Sequence, residues 1–278
     1  MIDLAPNPKL GLSVKNPVLL AGGTIGYGEA LHSGLDLKQL GGVVVGPLLR
    51  HSSAGPTPPR LAEMPGGFVM AAGTQNRGIS DVLKRFARIW ARLGAPVIVQ
   101  VAEQRPEALA FLLEQLATVE AVVALELLIG QGTEAESVKR VVQTAAQLSD
   151  LPIWVKLPLA EAVRLAPIAV DAGAVGVVVG QPPLGAALHQ ASDSITPALV
   201  QGTLHGPATY HLMLATLLAV SRLALPAALI ACGGIHTQAQ ARTVLNIPRV
   251  RALQIDSALW VEPGLPAQLA VALQDGTQ

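Results

Sequence analysis

The sequence predicts an α/β protein, and within that class a (β/α)8 barrel with long βα lid loops and a short N-terminal strand segment. Three observations carry the prediction. Eight short, uniformly apolar runs recur along the chain, as expected of parallel strands covered on both faces. The stretches between them place apolar residues three and four apart, as helices packed on a sheet do. The 278 residues suit the roughly 250 that eight such units use when they close on themselves.

In chain order the runs are Val18–Ala21, Gly42–Leu48, Val97–Val101, Val122–Ile129, Ile153–Leu157, Val175–Val179, Ala228–Cys232 and Ala252–Ile255. Helical spacing is clear in Val82, Leu83, Phe86, Ile89, Trp90 and Leu93, in Leu109, Leu112, Leu113 and Leu116, and in Val138, Val141, Val142 and Ala145. Turn residues precede several runs, as in Gly94-Ala95-Pro96 and Asp150-Leu151-Pro152. An open doubly wound sheet would carry Gly-x-Gly-x-x-Gly after its first strand, and Gly22-Gly23-Thr24-Ile25-Gly26-Tyr27-Gly28 has different spacing. Two connections, Leu49 to Arg77 and Gly180 to Gly206, exceed ordinary barrel loops. Both follow a strand, which puts them on the catalytic face as lids. No linker interrupts the pattern, so residues 1–278 read as one domain.

Composition removes several function classes. Nineteen acids balance nineteen Lys plus Arg, leaving no net field for nucleic acid or an anionic membrane. Aromatic residues make up 3%, too few for a base-stacking platform. No apolar stretch approaches the ~18 residues of a membrane span, and the opening residues lack a signal-peptide pattern. A cytoplasmic setting follows. Cys232 is the only cysteine, which rules out an internal disulfide or a multi-cysteine metal site, and no metal is expected.

The residues with chemical promise cluster at strand ends. Ala121–Thr133 is an apolar run with one acid, Glu126, and a Gly130-Gln131-Gly132 break where a barrel strand meets its active site. Lys156 lies two residues after Trp154 on the next run and so shares its strand face. A buried ammonium needs a partner. Either Glu126 pairs with it structurally, or it is aimed at negative charge on a ligand; the residues alone leave both open. Gly233-Gly234 after the seventh run would let backbone N–H groups approach a phosphate, whereas Asp256 after the eighth would repel one. His189, His205 and His211 lack metal or triad spacing. Cys232, with no cation near it in sequence, reads as a small apolar residue. Arg50 and Arg60 flank a Pro-rich loop as solvated groups or as holders of an acidic ligand.

Taken together, these stretches resemble the soluble class of the dihydroorotate dehydrogenase family over nearly the whole chain. The carriers are Gly11–Val18 leading into Ala21-Gly22-Gly23-Thr24-Ile25-Gly26-Tyr27-Gly28, then Pro59-Arg60, Pro65-Gly66-Gly67, Gly73-Thr74-Gln75-Asn76, Glu126-Leu127, Val155-Lys156-Leu157, Gly206-Pro207 and Cys232-Gly233-Gly234-Ile235. The resemblance implies a TIM barrel, FMN at its C-terminal face, and oxidation of dihydroorotate to orotate in pyrimidine biosynthesis. It further implies a small-molecule ligand at the barrel mouth, and either a homodimer or the docking of an electron-transfer subunit. FMN contacts are expected from Ala21, Gly22, Gly23, Thr24, Asn76, Lys156, Gly206, Gly233, Gly234 and Ser257. The family's general base is a Cys, and Gln131 stands at its position. The orotate-binding asparagines are replaced by Met70, Leu128, Thr133 and Gln181, the FMN lysine by Gly46, and the Gly-Thr pair at the phosphate by Asp256-Ser257.

Three functions are therefore expected in turn. The first is a divergent flavoprotein oxidoreductase of this family, with FMN binding weakened at Gly46 and Asp256 or absent. The second is a non-catalytic barrel, a pseudoenzyme kept as a subunit or binding module. The third is an enzyme of another class, which Leu128 and Met70 would suit to a less polar ligand. Ser52, Ser53, Ser192 and Ser194 are the hydroxyls available on the long loops, without an evident activating partner.

Overall fold

The structure is a computed structural model describing residues 1–6, 11–189 and 197–274; Ser192 and Ser194 lie outside the described residues. The chain opens with a two-stranded antiparallel pair, β1 (Ile2–Asp3) and β2 (Ser13–Val14). The first barrel strands follow, β3 (Val18–Leu20) and β4 (Gly42–Leu48). The connection after β4 folds into a hairpin, β5 (Leu61–Met64) and β6 (Gly67–Met70). Strands and helices then alternate through α1 (Ile79–Trp90), β7 (Val97–Val101), α2 (Pro106–Leu116), β8 (Val122–Leu128), α3 (Ala135–Leu148), β9 (Ile153–Pro158), α4 (Ala162–Asp171) and β10 (Gly176–Gln181). A second hairpin, β11 (Leu184–His189) and β12 (Ala198–His205), interrupts the alternation. It resumes with α5 (Thr209–Ser221), β13 (Ala228–Cys232), α6 (Gln238–Leu245) and β14 (Val250–Ile255), and ends with α7 (Ala258–Val261) and α8 (Leu265–Gln274).

Eight of these strands close into a parallel barrel in the order β10-β13-β14-β3-β4-β7-β8-β9. Their near-continuous apolar character now has its cause. Residues such as Val43, Val45, Val97 and Val99 face the helices, and Val44, Ile98, Ala124, Trp154, Val178 and Ile230 fill the barrel interior, following the period-two alternation of side chains. The N-terminal pair plugs the bottom of that interior with Leu4, Leu12 and Val14, and the Trp154 Nε1–H donates to the Leu4 carbonyl at 3.2 Å.

The helices start where local chemistry favours them. Pro106 opens α2, where a missing N–H costs nothing. A capping box of Thr237 and Gln240 starts α6. α1 presents Ile79, Val82, Phe86 and Trp90 to the core, with Asp81 and Arg85 paired at 2.8 Å on its open side. No described helix is long and apolar enough to cross a membrane.

The two long connections are not loops. Their hairpins join edge to edge as one antiparallel sheet, β11-β12-β6-β5, over the C-terminal mouth. This lid has a small core of its own in Ala62, Val69 and Val200. Its two halves meet very closely: a Cβ built on Gly206 would lie 2.5 Å from the Gly67 Cα. Glycine at both positions is what lets these backbones touch.

Candidate functional site

One layer above the apolar floor of the barrel, the inward positions become polar. Gln100 on β7, Glu126 on β8, Lys156 on β9 and Gln254 on β14 each follow an interior apolar residue by two, and all are buried. The Gln100 Nε2–H donates to Glu126 Oε1 at 2.7 Å, and the Gln254 Nε2–H donates to Glu126 Oε2. Lys156 donates to Gln254 Oε1 at 3.0 Å and stands 3.9 Å from Glu126. Gln254 thus reaches across the barrel and serves acid and cation at once. A cross-barrel contact needs small neighbours, and Ala21 just after β3, Gly46 on β4 and Gly180 on β10 occupy this layer.

Burial would drive the Lys156 ammonium down. The Cys232 sulfur and the Glu126 and Asp256 carboxylates more than offset that and hold it above the ordinary lysine range. Lys156 is therefore a charged, internally paired group; the ion pair with Glu126 exists, and an amide completes it. Cys232 touches Lys156 in space although no cation is near it in sequence. Burial nevertheless pushes its thiol up to about 11, so it stays protonated and unreactive near neutral pH.

The loop after β8 carries Gln131 at the mouth. Its Nε2–H donates to the Pro182 carbonyl at 2.9 Å, tying the β8 loop to the entrance of the second hairpin. Thr133 turns back on its own loop, its hydroxyl donating to the Gly130 carbonyl at 2.7 Å. Leu128 sits beside Lys156 in register. Gln181 ends β10 with its Oε1 buried and without a partner among the described residues. Met70 is part of the lid, paired with Thr203.

On the other flank, Thr24 closes the Ala21–Thr24 turn through a hydrogen bond to the Ala21 carbonyl, and Gly22 lies against the Gln100 amide. The Asn76 amide is used within its own loop, its Nδ2–H donating to the Thr74 carbonyl and its Oδ1 accepting from the Gly78 N–H. Gly233 and Gly234 turn with φ of 112° and 69°. Ser257 is buried against His236, Oγ to Nε2 at 3.2 Å. At Gly46, φ is +124° and a built Cβ lies 2.7 Å from the Gln100 carbonyl; the backbone there admits no side chain.

Gln100 and Gln254 were not foreseen as part of a site, and neither was the pairing of the weak candidate His205 with Asp256. Gln100 and Gln254 carry no local signal, being single polar residues in apolar strands. His205 stands alone in its sequence neighbourhood, but the fold sets its Nδ1 3.0 Å from Asp256 Oδ2 and its Nε2 2.9 Å from the Thr203 hydroxyl. Phe68 stacks on the imidazole at 5.3 Å. Burial raises the Asp256 pKa, but the bond and charge of His205, with Lys156 and His236, bring it below the usual carboxylate value. Asp256 therefore remains an anion that accepts the Nδ1–H, while Nε2 faces the Thr203 hydroxyl, which itself donates to the Met70 carbonyl at 3.2 Å. His211 is exposed on α5. Arg50 lies over the Phe111 ring at 4.7 Å, and Arg60 braces the first long connection through Gln75 and the Ala54 carbonyl.

A cavity of about 500 Å³ opens at this end of the barrel, between the ends of β3 and β4, the first long connection and α7. Tyr27, Pro47, Met70, Arg77 and Trp260 are among its walls, together with Asn76.

A parallel eight-stranded barrel with a covered C-terminal mouth and a buried lysine–carboxylate pair is the frame of a TIM-barrel protein. The comparisons narrow the class. A model of the family described as dihydroorotate dehydrogenase matches residues 7–263, and the chain belongs to the dihydroorotate dehydrogenase family. Two similar relatives are each a dihydroorotate dehydrogenase B (NAD(+)) catalytic subunit. The protein from Pelobacter propionicus is 30% identical over 95% of this chain and 90% of its own length. The one from Desulforudis audaxviator is 32% identical over 95% and 89%.

Proposed function

We propose that this chain is a divergent dihydroorotate dehydrogenase-family barrel that has given up base-catalysed oxidation of dihydroorotate and kept its mouth as a small-ligand site. The observation that carries the reading is Gln131. An amide has no lone pair basic enough to take a C–H proton, and this one already donates to the Pro182 carbonyl. Loss of a positioned base typically costs ~10²–10⁴ in rate.

The other replacements point the same way. Leu128 and Met70 offer no hydrogen bond to a polar ring, and Thr133 is satisfied by Gly130. Each missing bond to such a ring costs on the order of 1 kcal/mol. FMN, the family's cofactor, is a poor match to the residues present. Gly46 has neither a cation nor room for one. Asp256 places a carboxylate where the family holds the phosphate, and Lys156 is satisfied by Gln254 and Glu126. Ala21, Gly22, Gly23, Thr24, Asn76, Gly206, Gly233, Gly234 and Ser257 keep the outline of that site. They do so through turns and packing.

The relatives' description as catalytic subunits supports a partner subunit for this chain as well; a second copy or an electron-transfer subunit is the partner the family resemblance implies. A second reading, an enzyme of another class on a less polar ligand, draws on Leu128 and Met70, whose apolar side chains stand where the family has asparagines. The test is a visible spectrum of the purified protein before and after added FMN, followed by dihydroorotate turnover with an electron acceptor. A colourless protein without turnover is expected; a flavin-loaded protein that turns over dihydroorotate overturns the proposal.

A further inference from the structure

At the end of the barrel opposite the mouth we infer a binding site for a soluble organic phosphomonoester, held by Lys15, Arg242 and Arg251. It stands apart from the fate of the mouth and adds a second site to the proposed function.

A cavity of about 560 Å³ opens on the N-terminal face, within the roughly 300–1,000 Å³ of small-molecule sites. Its walls come from the residues entering β3, the start of β14 and the last turns of α6 and α8. Barrel chemistry belongs to the other face, where the strands end. Lys156, Gln131, Asp256 and the Gly233-Gly234 turn are all absent from these walls.

Topology brings the cations together. Leu253 pairs with Val18 in parallel register, and its N–H donates to the Pro17 carbonyl at 2.9 Å. Two residues back along both segments, that register sets Arg251 beside Asn16, with Lys15 next in the chain. Asn16 is buried, donates to the Gln39 carbonyl at 2.6 Å and accepts the Val18 N–H at 3.0 Å, so it fixes the segment that carries Lys15. α6 packs on β14 and supplies Arg242 from its last turn.

Charge defines the ligand. Over the whole chain nineteen acids balance nineteen Lys plus Arg, yet three cations and no Asp or Glu line this cavity among the described residues. Helix ends account for part of the imbalance. An Arg242 Nη2–H donates to the Ala272 carbonyl of α8 at 2.7 Å, and the Lys15 ammonium donates to the Lys38 carbonyl. The carbonyl ends of α6 and α8 carry roughly half a negative charge each, which offsets about one cation. Arg251 is exposed and has no hydrogen-bond or ion-pair partner among the described residues. The surplus of about two positive charges matches the dianion that a phosphomonoester approaches at neutral pH, and a guanidinium fork suits its oxygens.

The remaining wall is apolar, with Pro17, Leu245 and Val250. It gives an organic body on the phosphate something to cover. No aromatic residue lines the cavity among the described residues, so the body is held by apolar contact and not by ring stacking.

The test titrates the full chain with n-butyl phosphate, inorganic phosphate and butyrate by calorimetry at constant ionic strength, and follows backbone N–H signals in a nitrogen–proton NMR spectrum. Saturable n-butyl phosphate binding is expected, tighter than inorganic phosphate, which lacks the apolar body, and tighter than butyrate, which carries one charge. Shifts should gather at Asn16, Asn246 and Arg251. Arg251→Gln should weaken n-butyl phosphate about tenfold, the loss of one charge-assisted contact, at an unchanged melting temperature. Arg85→Gln, on the open side of α1, should leave the affinity as it was. Absence of saturable binding, equal affinity for the three probes, or undiminished affinity in Arg251→Gln would each overturn the inference. So would shifts at Gly233, Gly234 and Ser257 in place of the N-terminal face, or sedimentation with phosphatidic acid vesicles in the absence of n-butyl phosphate binding. The visible spectrum with FMN reports on the mouth alone, so the two proposals fail separately.

Discussion

His205 Nδ1 and Asp256 Oδ2 lie 3.0 Å apart, and this contact fastens the lid sheet to the last strand of the barrel. His205 ends β12 and Asp256 follows β14, so neither element can lift without breaking a hydrogen bond to a carboxylate that is nearly closed to water. The Phe68 ring stacked on the imidazole adds packing to the same joint.

Replacing Asp256 by Ala leaves the imidazole Nδ1–H without its acceptor. The expected loss is about 1.5–3 kcal/mol, the range for a hydrogen bond to a charged group. Denaturant unfolding measures it. Amide exchange across Ala198–His205 should accelerate more than exchange in β13, since the lid is released before the barrel opens.

Acid should loosen the same joint. The folded Asp256 pKa lies below its ordinary value, so its stabilisation is complete above about pH 4 and is lost as pH falls through the folded value. Glu103, buried but brought low by Arg105, acts in the same direction. Burial lowers His236, so the unfolded chain takes up that proton first and stability begins to fall below about pH 6.5. Urea midpoints against pH should show a shallow decline followed by a steeper one, and Asp256→Asn should flatten the second.

The polar layer inside the barrel is expected to behave as a unit. Lys156→Met strands the Glu126 carboxylate and should cost roughly 3–5 kcal/mol, as should Glu126→Gln for the opposite reason. The double variant should recover much of that loss, and a double-mutant cycle by chemical denaturation reads the coupling. Additive losses would mean that the two groups are satisfied independently.

Restoring the family's lysine at Gly46 should fail as a repair. With φ at +124° and a Cβ position 2.7 Å from the Gln100 carbonyl, Gly46→Lys is expected to destabilise by roughly 1–3 kcal/mol. Thermal melting checks this, and a gain in FMN affinity would contradict it.

Gln131→Cys is expected to leave dihydroorotate turnover undetectable. A thiol alone supplies neither hydrogen bonds to the ring at Leu128 and Met70 nor a cation at Gly46. Its stability should fall by about 1 kcal/mol through loss of the hydrogen bond to Pro182. A stopped-flow assay with an electron acceptor, beside an unfolding curve, separates the two effects.

The amino-acid sequence by itself determined the eight barrel strands and the helices between them. Gly42–Leu48 and Val97–Val101 were legible to the residue, because a strand covered on both faces must be apolar throughout, a local property. It also marked Glu126 as the candidate partner of Lys156, since adjacent strands carry them. The lid strands were hidden: Leu184–His189 alternates weakly, and β12 finds its second partner in Met70, 133 residues from Thr203. Nothing local announces such a pairing. Only the tertiary structure decided that Gln254 crosses the barrel to Glu126, that His205 meets Asp256, and that Met70, Arg77 and Trp260 wall one cavity. The period of a strand fixes which way a side chain points, but what it meets depends on closure of the sheet, a property of the whole chain.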